Sequence, residues 1–94
     1  MTVEEFRSTL RDEDPPGGIS TALQAMWEDG RGRWEAAHAI AQDIDDKTGA
    51  WIHAYLHRKE GDLGNAGYWY GRAGQPVAYD AIEEEWARIV RALL

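Results

Sequence analysis

His53 and His57 stand four residues apart, and Glu60 follows three further on. At about 100° per helical residue, all three project from one narrow sector of a helix. Two imidazoles one turn apart chelate a divalent ion, and a carboxylate on the next turn completes or orients such a site. His38 lies on the preceding predicted helix, and antiparallel packing brings it alongside. His38, His53, His57 and Glu60 are therefore candidate ligands for a divalent metal such as zinc. The pattern is not that of a metalloprotease, because His53-Ala54-Tyr55-Leu56-His57 holds no glutamate to act as base. The same residues suit a buried hydrogen-bond network of neutral imidazoles, the more usual state of a histidine in a helical core, or an open ligand-facing surface, and neither of these implies a cofactor.

Residues 51–75 also hold Trp51, Tyr55, Tyr68, Trp69 and Tyr70. Gly64, Gly67, Gly71 and Gly74 recur there at spacings of 3, 4 and 3, on one side of a predicted helix. Each glycine costs a helix about 1 kcal/mol relative to alanine. The series is expected either to seat a neighbouring helix backbone or to floor a groove for a ligand or peptide. Tyr68, Trp69 and Tyr70 cannot all face a core, so at least one ring should be exposed beside the glycines. Arg58 and Arg72 are placed to frame it as a receptor for a carboxylate or a planar group. The candidate ligand-binding residues are Trp51, His53, His57, Arg58, Gly67, Tyr68, Gly71 and Arg72. Nucleophilic catalysis has little to work with: there is no cysteine, and Ser8 and Ser20 sit near caps or turns. Glu83-Glu84-Glu85 reads as a solvated run suited to the positive end of a helix.

The elements that must position these groups are all helical. Thr2-Val3-Glu4-Glu5 is a capping box, opening a helix with Val3, Phe6 and Leu10 on its apolar stripe. Asp14-Pro15-Pro16-Gly17-Gly18 ends it. A second helix runs from near Ser20 to Asp29, with Leu23, Met26 and Trp27 inward and a turn at Gly30-Arg31-Gly32. The third carries Trp34, Ala37, Ile40, Ala41 and Ile44 and closes in Asp45-Asp46. The fourth runs from about Thr48 to Glu60. Asp62 caps a fifth that reaches about Ala73, where Gly74 and Pro76 stop it. Asp80-Ala81-Ile82-Glu83 is a second capping-box pattern, opening a sixth helix with Ile82, Trp86, Ile89, Val90 and Leu93 inward. No stretch alternates as a strand does, and the short loops imply antiparallel neighbours. Aligning Gly32 with Gly61 pairs Leu23 with Ile52, Ala25 with Ala54, Trp27 with Leu56, Trp34 with Leu63 and Ala37 with Ala66.

Residues 50–76 resemble a tetratricopeptide repeat unit. Ala54 stands where that family places a small residue in its first helix, and Gly61-Asp62 match its turn. Ala66 matches the small residue of the second helix, Tyr70 the aromatic and Ala73 the alanine after it. Residues 21–46 form a weaker copy, best at Gly32, Trp34 and Ala37. The resemblance implies an all-α domain of about six helices: two stacked antiparallel hairpins between N- and C-terminal flanking helices. It departs from the family at His53 and His57, where a large apolar or aromatic group is usual, and in the four glycines. The run His53 to Asp62 also resembles one carried by small uncharacterised bacterial proteins, a likeness that brings no activity with it.

At 94 residues, 44% hydrophobic and 29% charged, the chain is expected to form one domain, 1–94, with a modest core. A net charge of −7 is a poor footprint for nucleic acid or an anionic membrane. Residues 51–75 differ, with Arg58, Lys59 and Arg72 against Glu60 and Asp62. No apolar run approaches a membrane span, the start does not resemble a signal peptide, and the absence of cysteine fits a cytoplasmic location. The leading expectation is a binding module for a peptide, a partner protein or a small ligand, acting through the face of residues 51–75. A small metal protein or enzyme built on His38, His53, His57 and Glu60 is the alternative, and a structural subunit is a third. Stacked repeats usually need three or more units with caps, so either the flanking helices or a second copy in a homo-oligomer must close the stack.

Overall fold

Caps written into the sequence set most of the helix starts. In the computed structural model, which describes residues 1–94, the Glu5 amide donates to the Thr2 hydroxyl and the Thr2 amide to the Glu5 carboxylate. Helix α1 (Val3–Ser8) follows and tightens into a 3₁₀ turn at Thr9–Arg11. The Ser20 hydroxyl accepts from the Leu23 amide and opens α2 (Thr21–Gly30). Helix α3 (Trp34–Gln42) stops short of the predicted Ile44. The reason lies in Asp46, which does not close α3 but caps α4 (Lys47–Lys59), accepting from the Gly49 amide at 2.9 Å. Asp62 caps α5 (Leu63–Ala73) as its position predicts. Asp80 does not cap α6 (Ile82–Leu93). Its carboxylate is drawn to the Arg88 guanidinium, and Ala81 takes the N-cap position with no side-chain hydrogen bond.

The fold is all-α, with six helices and no strand. α2–α3 and α4–α5 form two hairpins, turning through Gly32 at φ 79° and Gly61 at φ 88°. In each, the residue after the glycine returns its amide five positions, Arg33 to the Glu28 carbonyl at 3.0 Å and Asp62 to that of His57 at 2.9 Å. α3 packs on α4, and α6 crosses α1, α2 and α4. The main core joins Phe6, Leu23, Met26, Trp27, Ile52, Tyr55, Leu56, Ile89 and Val90. Trp86 of α6 is anchored in it by its indole N–H, which donates to the Met26 carbonyl at 3.0 Å. Ala54 and Ala66, both buried, let α4 and α5 approach closely beside Tyr70. Four of the five residue pairs aligned through Gly32 and Gly61 are buried in both hairpins. Leu63 breaks the pattern, 69% exposed where Trp34 is half-buried and donates to the Leu56 carbonyl. No helix is long and apolar enough to cross a membrane.

Candidate functional site

α4 turns Ile52, Tyr55 and Leu56 into the core, and the same helical period leaves His53 and His57 on the flank between α3 and α5. Both histidines are buried, and the first hairpin brings half-buried His38 of α3 against them. His38 Nε2 and His53 Nε2 are 3.0 Å apart, so one donates to the other. His57 Nδ1 lies 2.5 Å from the Glu60 carboxylate, and Asn65 of α5 approaches His57 Nε2 at 3.3 Å. Trp34 stacks on His38 with ring centroids 4.9 Å apart, and Trp69 stacks on His53 at 4.1 Å and 10°. One nitrogen from each imidazole lies within 4.8 Å of the other two. Burial, reinforced by His57, lowers the His38 pKa. Burial, then His38 and His57, pushes His53 down to about 4. His53 therefore stays neutral at neutral pH, with a lone pair to offer.

A cleft of about 280 Å³ opens beside His53 between the start of α4 and the end of α5. Gln42, Asp45, Asp46, Lys47, Trp69 and Arg72 line it with His53. The Arg72 guanidinium lies 5.5 Å from the Trp69 ring centroid and donates to the Tyr68 hydroxyl at 2.9 Å. The Asp46 carboxylate is engaged by the Gly49 amide. Arg7, Arg33, Arg58, Lys59 and Arg88 are in ion pairs; Arg11, Arg31, Lys47, Arg72 and Arg91 are in none, and of these Lys47 and Arg72 line this cleft.

The eight candidate ligand residues do not share one face. His53 and Arg72 meet at this cleft, with His57 behind His53 and exposed Tyr68 beside Arg72. Arg58 is turned away. It donates to buried Glu85 at 2.8 Å and to the Asp80 carbonyl, and it lines a separate cleft with Gly67, Tyr70 and Tyr79. Trp51 packs half-buried against both apolar clusters. Gly71 is exposed, and a Cβ at Gly64, Gly67 or Gly71 would meet nothing within 4 Å. No neighbouring helix sits on the glycine series, because α5 presents that side outward. Glu85 also corrects its reading as part of a solvated run: it is fully buried and accepts from Arg58 and from the Tyr70 hydroxyl. Burial and Glu85 together raise the Tyr70 pKa. The hydroxyls of Ser8 and Ser20 are engaged in local backbone bonds.

Sequence reasoning missed Lys47, Asn65 and the site roles of Trp34 and Trp69. Asn65 and Trp69 are four apart on α5, so they share a face, but nothing local shows that this face meets the histidines. A second unforeseen cluster joins α2 to α4: the Tyr55 hydroxyl donates to buried Asp29 at 2.6 Å, and Lys59 reaches the same carboxylate at 3.0 Å. Comparison of the chain with protein-family models, with curated proteins and with solved structures finds no match. The chemistry of the site therefore rests on its own residues.

Proposed function

We propose that this chain is a helical-hairpin binding module, similar in build to a pair of tetratricopeptide units, that holds a small carboxylate-bearing ligand between α4 and α5. The observation that carries the reading is the presence of two cations without acid partners, Lys47 and Arg72, on one concave surface of an acidic protein. A guanidinium presents paired donors to a carboxylate, and Trp69 offers a flat apolar wall beside it. The cleft is near the lower end of the size range for small-ligand sites. Asp45 on the rim would repel a second negative group, so the fit favours a monoanion or a zwitterion over a polyanion.

The test is calorimetric titration at low ionic strength with benzoate, acetate and glycine as probes. Binding of at least one probe at one per chain is expected, weakened about tenfold or more in Arg72→Gln and in Lys47→Gln. Both side chains are exposed, so the variants should keep the melting temperature of the native protein. No binding of any probe at millimolar concentration, or binding that survives both substitutions, overturns the reading.

A further inference from the structure

The imidazole cluster beneath the cleft does more than fill space between helices. Three rings from two helices point one nitrogen each at a common region, with no two of those nitrogens more than 4.8 Å apart. His38 Nε2 and His53 Nε2 are already at 3.0 Å. Around a tetrahedral zinc ion, with zinc–nitrogen bonds of about 2.0–2.1 Å, ligand nitrogens stand about 3.4 Å apart. The spacings present, from 3.0 Å up to 4.8 Å, bracket that value.

We infer that His38, His53 and His57 form a binding site for a divalent, imidazole-preferring cation of the zinc type, with Glu60 as the residue that orients His57. Glu60 accepts from His57 Nδ1 at 2.5 Å, which places the proton on that nitrogen and leaves the lone pair on Nε2. Metal-bound histidines are held in this way by a carboxylate on the second nitrogen. Asn65 now occupies His57 Nε2 only through a long 3.3 Å contact, and the ion takes over that position. Trp34 and Trp69 fix the ring planes of His38 and His53 by stacking, which lowers the entropy lost when the ligands are ordered around an ion. Three neutral nitrogen ligands exclude magnesium and calcium, which require oxygen. His53 also lines the cleft, so the three-histidine cluster borders it. The inference does not depend on carboxylate binding by Lys47 and Arg72, and failure of either reading leaves the other standing.

The untagged protein, stripped with EDTA and dialysed, is titrated with zinc chloride and separately with cobalt(II) chloride. One ion per chain is expected, with a melting temperature that rises on zinc addition and returns with chelator. Cobalt(II) should show the intense visible bands of a tetrahedral site. His38→Asn, on the half-buried side of α3, should keep its helical circular dichroism and lose zinc affinity by about 100-fold or more. Glu60→Gln should keep one ion per chain but bind it about 10- to 100-fold more weakly. Zinc X-ray absorption on the native protein counts the histidine ligands directly, so the inference can be tested even if a variant does not fold. No zinc uptake, a zinc shell made only of oxygen, or native affinity in folded His38→Asn overturns it.

Discussion

Gly49 and Gly71 are one residue type under opposite constraints. A Cβ at Gly49 would overlap the Ile44 carbonyl, a backbone atom that cannot move aside, and the Gly49 amide is the donor that Asp46 caps. A Cβ at Gly71 meets open space on the outward side of α5. Gly49→Ala should therefore destabilise the protein by about 1–3 kcal/mol, while Gly71→Ala should stabilise it by about 0.5–1 kcal/mol through helix propensity and the unfolded chain. Urea denaturation of the two variants checks both signs. His53 supplies the pH dependence. Its folded pKa, pushed from 6.5 down to about 4 by burial and by the neighbouring imidazoles, favours the neutral form in the native state. In chelator, the stability it contributes is complete above about pH 6.5 and is lost as the pH falls through the folded value. Around it stand His38 from α3, His57 and Glu60 from α4 and its C-cap, Asp45, Asp46 and Lys47 of the cleft, and Arg72 beyond Trp69 from α5. The melting temperature should fall between pH 6.5 and 5, before most carboxylates titrate, and His53→Phe should flatten that fall.

At the scale of the helices, what the sequence reveals depends on how local the deciding contact is. Thr2, Ser20 and Asp62 cap within three residues of themselves, and the turns at Gly32 and Gly61 close within five, so these boundaries can be read directly. Asp80 fails as a cap because Arg88, two turns along, competes for it, and Asp46 could equally have ended one helix or begun the next. The site divides in the same way. His53, His57 and Glu60 follow from one helical period. Asn65 and Trp69 depend on the rotation of α5 about its own axis, which is set by Ala54, Ala66 and Tyr70. The partner that turns Arg58 away from the ligand face, buried Glu85, stands 27 positions along the chain, beyond the reach of any local pattern. Ala66 is where that rotation is held. Ala66→Leu adds volume at a contact with no room for it and should cost about 1–3 kcal/mol. It should also displace Trp69 from the His53 ring, visible as a changed tryptophan signal. Unchanged stability in Ala66→Leu would mean that α5 is not seated through this alanine.

Over the whole molecule, one buried ion pair ties α5, whose Ala66 and Tyr70 lie outside the main core, to α4 and α6, which share that core. Glu85 of α6 is fully buried and accepts from Arg58 of α4 at 2.8 Å and from the Tyr70 hydroxyl of α5 at 2.7 Å. Arg58 also donates to the Asp80 carbonyl, fastening the connection from α5 to α6 over the apolar cleft lined by Tyr70 and Tyr79. A buried pair of this kind adds little net energy over apolar replacements, but breaking it strands a charge and costs about 3–5 kcal/mol. That is a large fraction of the roughly 5–15 kcal/mol available to a domain. Arg58→Met should therefore sharply lower the urea midpoint. Adding Glu85→Gln removes the stranded charge while leaving Tyr70 an acceptor, so the double variant should be more stable than Arg58→Met alone. A double variant no more stable than the single one would show that packing of the arginine stem, and not the pairing of charges, holds α6 in place. Arg58 faces away from the imidazoles, so the double variant, once folded, should take up zinc as the native protein does. Loss of zinc uptake there would mean that α6 seats the packing of α3 on α4 more directly than the contacts between them indicate.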